Sequence, residues 1–231
     1  MDFMTGEWLG GLVAVLVVNL ILSGDNAVVI AMAARSLEGA NRRKAIIWGA
    51  AGAVILRLIF AAMITFLLDI PLLQVVGGLL LIWIAWKLIH DGEPDEGKIE
   101  AGQSPWEAIR IIIIADAVMS LDNVIALVQA ARIGGEVSMS LLVIGLATTI
   151  PLVVFGAALL TSLLDRFPIL VYIGAALLVY LAVEMFFHDV FLHHYLEPYA
   201  SIEWIIGIVA ALIFAGVAWL WARRTDSSHT G

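Results

Sequence analysis

Cysteine is absent from this sequence, which excludes disulfide bonds, thiolate metal sites and cysteine nucleophiles. Charged residues are also scarce: they make up 14% of the 231 residues, against about a quarter in soluble domains. Hydrophobic residues make up 62%, and the mean hydropathy is +1.03. A soluble domain of this length needs a more highly charged surface, so the composition indicates a protein that lies in a lipid bilayer.

Basic residues are missing from the N-terminal segment. Met1 to Gly10 contains Asp2 and Glu7 but no Lys or Arg, so it lacks the basic region that opens a secretory signal peptide. We expect the first apolar segment to remain in the mature protein. Much of the net charge of −8 comes from an acidic stretch at 91–104, which we predict to be a solvated linker rather than a cation-attracting surface. We expect no nucleic-acid partner.

Long apolar segments recur along the chain, and a helix needs about 20 mostly apolar residues to cross a bilayer. Seven segments approximately meet this length. We therefore predict an all-α membrane protein with seven transmembrane helices, which we call spans 1 to 7. They are residues 7–33, 45–68, 71–89, 105–131, 139–164, 168–187 and 201–222.

The basic residues are distributed unevenly between the two sides of the membrane. Seven spans place the N-terminus and the loops after spans 2, 4 and 6 on one side. Of the 12 Lys and Arg residues, only Arg132 belongs to that side, Arg57 lies within span 2, and the other ten lie opposite. Because cytoplasmic loops are rich in Lys and Arg, we predict that the N-terminus is outside and the C-terminus inside.

A polar motif occurs twice, at positions 97 residues apart. The sequence Ser-Gly-Asp-Asn at 23–26 in span 1 corresponds to Ser-Leu-Asp-Asn at 120–123 in span 4. Four residues before each motif stands another polar residue, Asn19 in the first copy and Asp116 in the second. The chain therefore contains an internal repeat.

The repeat divides the chain into two halves of three spans each, residues 7–90 and 105–188. The acidic linker at 91–104 joins them on the cytoplasmic side, a histidine-containing outer loop follows at 189–200, and the seventh span at 201–222 lies outside the repeat. Because three is odd, the second half enters the membrane from the opposite side. We predict two inverted repeats, an arrangement that recurs among transporters.

Each half carries polar side chains in the middle of its first span. Residues spaced i, i+4 and i+7 share one face of a helix, so each span has one polar stripe with an Asp on its flank. The stripes are Asn19, Ser23 and Asn26 with Asp25 beside them, and Asp116, Ser120 and Asn123 with Asp122 beside them. Facing one another, they would line a cavity with oxygen atoms, which suit magnesium, calcium or manganese. Gly24 favours a local opening of the helix; Leu121 at the equivalent position makes a break there less expected.

Helix association offers a simpler explanation, because interhelical hydrogen bonds between polar residues hold membrane helices together. It accounts for Asn19, Ser23 and Ser120 as well as a binding site does. It accounts poorly for three Asp residues, since a charge at the bilayer centre costs about 3 kcal/mol or more. We therefore predict a metal site, with secondary roles for Asn19, Ser23 and Ser120. Its expected ligands are Asp25, Asn26, Asp116, Asp122 and Asn123.

Other polar residues are weaker candidates. Glu184 near the end of span 6 is either a site residue or a carboxylate that reaches the outer surface. Arg57 in mid-span 2 either pairs with an Asp or acts as a tethered cation that fills the site when metal leaves, and we favour the ion pair. For His188, His193 and His194 in the outer loop, we favour incidental interfacial histidines over a metal-handling site.

The doubled Ser-x-Asp-Asn motif, placed in the first span of each three-helix half, resembles the TerC family of integral membrane proteins, especially its YjbE-like branch. The resemblance covers nearly the whole chain. It implies a multi-pass protein of the bacterial cytoplasmic (inner) membrane that exports manganese. By matching motif it implies Asp25, Asn26, Asp122 and Asn123 as ligands; Asp116 is weaker, because the first repeat has Asn19 there.

The leading hypothesis is thus an alternating-access exporter with manganese(II) as bound substrate, no organic cofactor and no enzymatic activity. One alternative is a membrane partner that supplies manganese to secreted metalloenzymes. Another is an intramembrane aspartyl protease, since Asp residues on separate helices can share a proton. Beyond the bilayer and a divalent metal ion, we leave open proton exchange, a homodimer and contact with a translocon.

Overall fold

The computed structural model describes residues 6–67, 70–90, 104–133 and 136–228. Within them, it describes only the backbone at 64–67, 121–122, 136, 149 and 222–228. The acidic linker expected at 91–104 lies outside the described residues, apart from Ser104.

The described chain is almost entirely helical, as the apolar segments predicted. Two described elements add to the all-α prediction. One is a pair of two-residue strands, in which β1 (Arg132–Ile133) pairs antiparallel with β2 (Glu136–Val137), and the other is a 3₁₀ helix at Glu197–Ile202. The α-helices are α1 Gly6–Ile21, α2 Gly24–Ala34, α3 Gly39–Leu67, α4 Leu73–His90, α5 Pro105–Ala130, α6 Met139–Arg166, α7 Ile169–His188, α8 His193–Leu196 and α9 Glu203–Ser228.

Five described helices are long and apolar enough to cross a membrane, and two further candidate spans are bent. The first is the pair α1 and α2, which meet at an angle of 49° around Leu22 and Ser23. The second is α5, which bends by 66° between Ser120 and Asn123. The described residues therefore contain five candidate spans, or seven if each bent pair crosses once, which makes this a multi-pass membrane protein.

Both bends fall on the Ser-x-Asp-Asn motif. Ser, Asp and Asn side chains compete with the helix for backbone hydrogen bonds, so a run of them weakens helical geometry. The bend in the second repeat is the larger one although Leu121 stands where the first repeat has Gly24. The polar motif, rather than the glycine, is what the two bends share.

The chain forms two compact units. Unit 1 comprises residues 1–69 and 104–161, and unit 2 comprises residues 70–103 and 162–231. Each unit takes helices from both sequence repeats: unit 1 holds the first two spans of each half, and unit 2 holds the third span of each half together with α9.

In unit 1, α3 packs closely against α5. A side chain at Gly49 would bring its Cβ within 2.7 Å of Ile112, and one at Gly52 would come within 2.6 Å of Ile113. Small residues permit such close approach between membrane helices. A second apolar cluster joins α1, α5 and α6. Its buried members include Val15, Val124, Leu127, Leu141, Leu142 and Leu146.

In unit 2, α7 lies against both α4 and α9. A Cβ at Gly78 would stand 2.8 Å from the Ala182 carbonyl oxygen, and one at Gly207 would stand 2.7 Å from the Tyr180 ring. The end of α7 is tied to the start of α4 by the buried Asp189, whose Oδ1 accepts a hydrogen bond from the Leu72 backbone N–H at 3.3 Å.

Candidate functional site

The break between α1 and α2 exposes backbone groups inside unit 1. The side-chain amide of Asn26 donates a hydrogen bond to the carbonyl of Leu22 at 3.2 Å. The backbone N–H of Asn26 donates to Asp25 Oδ1 at 2.8 Å. The motif residues thus hydrogen-bond to backbone groups at the break between the two helices. Asp25 is partly exposed.

The motif of the second repeat reaches the same place. The side-chain amide of Asn123 in α5 donates to the Leu22 carbonyl at 3.4 Å, so both Asn side chains converge on one backbone oxygen. Asn26 Oδ1 is buried and has no hydrogen-bond partner among the described residues. A buried acceptor without a donor is costly, and a cation bound there would satisfy it.

The two polar stripes have the spacing that a 3.6-residue period predicts. Ser23 Oγ donates to the Asn19 carbonyl at 2.5 Å and lies 3.2 Å from Asn19 Oδ1. In α5, Ser120 Oγ donates to Asp116 Oδ2 at 3.1 Å. All four side chains are buried. Each stripe is therefore hydrogen-bonded internally across one helical turn.

Arg57 of α3 links the two stripes. Its Nη2 pairs with Asp116 Oδ1 at 2.5 Å, its Nη1 donates to Asn19 Oδ1 at 3.1 Å, and its Nε donates to Ser120 Oγ at 3.0 Å. The ion pair favoured for Arg57 is confirmed. Because the planar guanidinium presents several donors in a fixed geometry, one side chain serves three partners from both repeats.

The polar interior of unit 1 therefore has two parts. In the first, the carboxylate of Asp116 is neutralised by Arg57. In the second, the side-chain amides of Asn26 and Asn123 meet at the Leu22 carbonyl, and Asp25 Oδ1 accepts a hydrogen bond from the Asn26 backbone N–H. Asp122 lies in the bend of α5, but its side chain falls outside the described atoms.

The sequence indicated most of these residues. It gave too little weight to the Arg57 side chain and none to the Leu22 carbonyl. Arg57 was a secondary candidate, whereas it contacts three polar side chains of the core. An arginine in mid-span has to find a carboxylate, so three intramembrane Asp residues were the available signal. The Leu22 carbonyl is a backbone group, and side-chain patterns carry no signal for it beyond the neighbouring motif.

Glu184 belongs to unit 2 and lies with His188 and Glu203. One ligand atom from each of these three side chains lies within 4.8 Å of the others. In the stretch predicted to be a histidine-containing outer loop, α8 and the 3₁₀ helix form short helical turns instead. His193 there has its Nδ1 3.3 Å from the Phe187 carbonyl oxygen. Within the described part of the chain, His188 belongs to this group, and His193 and His194 do not.

Comparison with known protein families shows to which family the chain belongs. The family described as "Integral membrane protein TerC family" matches residues 4–227. The chain belongs to the TerC family. The resemblance that the doubled motif indicated is thereby confirmed.

Relatives of this TerC protein include the uncharacterized membrane protein YjbE of Bacillus subtilis, 39% identical over 216 residues, which are 93% of this chain and 97% of that protein. The uncharacterized membrane protein YkoY of the same organism is 29% identical over 163 residues, 64% of this chain and 50% of YkoY. The UPF0053 inner membrane protein YoaE of Escherichia coli is 30% identical over 137 residues, 51% of this chain and 26% of YoaE. No solved structure matches.

Proposed function

We propose that this TerC protein is a divalent metal-ion transporter that exports manganese(II) from the bacterial cytoplasm by alternating access. The observation that carries the proposal is the convergence of both Asp-Asn motifs on the Leu22 carbonyl, where Asn26 Oδ1 is buried without a partner among the described residues. Broken helices whose freed backbone oxygens line an ion site are a recurrent device of transporters.

The charges of the site suit one divalent cation. Asp25, Asp116 and Asp122 carry three negative charges and Arg57 carries one positive charge, which leaves a formal net charge of −2. Because Arg57 is paired with Asp116, we assign metal ligation to Asp25, Asn26, Asp122 and Asn123. Asp116 then serves as the counter-ion of Arg57 and takes part in ligation only when that pair opens.

The ligand set also bears on which ion is transported. Carboxylate, amide and carbonyl oxygens favour manganese, magnesium or calcium over copper. Among these we propose manganese, which is the ion that the resemblance to the TerC family implies. Export against an inside-negative potential costs about 4.6 kcal/mol per 100 mV for a doubly charged ion, twice the single-charge value. We propose that protons moving inward drive it. The proposal needs no organic cofactor and no catalytic residue.

The proposed topology is two inverted three-span repeats and a seventh span, with the N-terminus outside and the C-terminus inside the bacterial inner membrane. Its support is the position of the two bends at matching places in the repeats and the uneven distribution of Lys and Arg. In this topology, one bent span enters from each side of the membrane.

Purified full-length protein in liposomes provides the test, with fluxes of manganese, calcium, magnesium and zinc measured under imposed pH gradients. We expect saturable manganese flux that the Asp25→Asn variant abolishes and the Asp165→Asn variant retains. Asp165 is a matched control because it is an exposed carboxylate at the end of α6.

Other outcomes would change the assignment. Undiminished flux in Asp25→Asn would remove Asp25 from the site. Manganese binding without flux of any cation would favour the partner that supplies metalloenzymes. Cleavage of a helical peptide substrate, lost in Asp25→Asn, would favour the aspartyl protease.

A further inference from the structure

We propose that Glu184, His188 and Glu203 form a second divalent-cation site, located in unit 2. It differs from the site in unit 1 by containing an imidazole. It does not depend on transport by the first site.

Two neighbouring helices bring the three side chains together. Glu184 and His188 stand one turn apart on α7 and therefore project from the same face. Glu203 is the first residue of α9. The three ligand atoms lie within 4.8 Å of one another, whereas ligands bound to one small cation at about 2.1 Å stand about 3–4 Å apart. Binding one cation would therefore require rotamer changes that bring these ligand atoms closer together.

The His188 ring is already oriented by the backbone. Its Nδ1 lies 2.9 Å from the Glu184 carbonyl oxygen, so Nδ1–H donates to that oxygen and Nε2 keeps its lone pair. Metal-binding histidines typically donate their other ring N–H to a carbonyl or carboxylate in this way. The Nδ1 to Glu203 Oε1 distance is 3.9 Å, longer than a hydrogen bond.

The residue that follows the group in the chain is a buried aspartate, Asp189. It follows His188 in the chain, is 1% exposed, and its Oδ2 has no hydrogen-bond partner within the described part of the chain. Its Oδ1 accepts hydrogen bonds from the backbone N–H groups of Leu72, Phe191 and Leu192, so Oδ2 is the oxygen of this carboxylate that is left to attract a cation. The group is not enclosed by the protein, since the His188 side chain is 54% exposed.

The ligand chemistry selects a class of ion. Two carboxylates and one imidazole suit manganese, iron(II), cobalt or zinc. Calcium and magnesium prefer oxygen ligands alone, so they should bind this group weakly. The competing explanation is an ion pair between a protonated His188 and Glu203 that only joins α7 to α9, and it predicts no metal binding.

Manganese electron paramagnetic resonance of the purified full-length protein, free of any histidine tag, tests the site. Electron spin-echo modulation from an imidazole nitrogen reports manganese bound to histidine. We expect this nitrogen signal in the wild type, its loss in His188→Gln, and its retention in His194→Gln, the matched control on α8. The number of manganese ions bound per chain should fall by one in His188→Gln.

Two further variants, one in this site and one in the site of unit 1, make the result interpretable. Glu203→Gln should weaken the nitrogen-coupled manganese at least tenfold without altering the fold, which circular dichroism checks. Asp25→Asn should leave the nitrogen signal intact, so failure of the first site and of this one are distinguishable. Absence of the signal in the wild type, or its persistence in His188→Gln, would overturn the proposal.

Discussion

Arg57 and Asp116, which are 59 residues apart in the sequence, form a buried ion pair with 2.5 Å between Nη2 and Oδ1. Their side chains are only 5% and 7% exposed. Neither residue has an equivalent in the other repeat. Asn19 stands at the position that corresponds to Asp116, and the second span of the second half has no arginine. The pair therefore breaks the internal symmetry at the polar core of unit 1.

Removing one member of this pair should destabilise the protein. Arg57→Gln leaves the Asp116 carboxylate buried without a counter-charge, which costs about 3–5 kcal/mol. The double variant Arg57→Gln with Asp116→Asn removes both charges and should recover most of that loss. Unfolding of the purified variants in detergent, arranged as a double-mutant cycle with Asp116→Asn alone, measures the coupling. Equal stability of Arg57→Gln and the wild type would contradict the pairing.

The glycine in the first motif should be replaceable. A Cβ at Gly24 meets no atom within 4 Å, and the second repeat bends at Leu121 without a glycine. We expect Gly24→Leu to change the free energy of unfolding by no more than about 0.5 kcal/mol and to keep the proposed efflux of manganese from loaded cells. Gly145→Leu is the contrast, because its Cβ would collide with Val15. A folded Gly24→Leu protein without efflux would restore the role of the glycine.

The contact between α4 and α7 in unit 2 should not tolerate a methyl group. A Cβ at Gly78 would lie 2.8 Å from the Ala182 carbonyl oxygen, which is backbone and cannot rotate away. Gly78→Ala should therefore lower stability by about 1–3 kcal/mol. In α9, Gly216 has no atom within 4 Å of its added Cβ, so Gly216→Ala should be neutral or slightly stabilising. Thermal unfolding of the two variants side by side distinguishes local packing from a general intolerance of alanine.

The absence of cysteine makes the proposed topology directly testable. Ser36, between α2 and α3, and Ser201, in the 3₁₀ helix, are both exposed. A membrane-impermeant thiol reagent added to intact cells should label Ser201→Cys, and should label Ser36→Cys only after permeabilisation. The excess of Lys and Arg on the Ser36 side is the physical reason. Labelling with the opposite pattern would reverse the orientation, and labelling of both in intact cells would contradict the number of spans between them.

Much of the fold followed from local signals. The long apolar runs became helical, with span 1 divided between α1 and α2, because a bilayer leaves the backbone few other ways to satisfy its hydrogen bonds. The observed bounds of α5 and α7 lie within two residues of the predicted bounds. The two helices begin at or next to a proline, Pro105 and Pro168 respectively. The short helical turns at 193–202 were not predicted, since a polar stretch of this length carries no clear helical period.

The sequence by itself determined that the protein lies in a membrane, that it belongs to TerC, and that two Asp-Asn motifs stand in equivalent spans. The first and third conclusions depend on composition and spacing, and family membership depends on the match of residues 4–227 to the TerC family; none of them needs knowledge of neighbours in space. Only the tertiary structure decided that Arg57 neutralises Asp116, that Asn26 and Asn123 meet at the Leu22 carbonyl, and that Glu203 joins Glu184 and His188. Those relationships arise between helices remote in the chain, and helical periodicity constrains which face a residue occupies but not which helix that face meets.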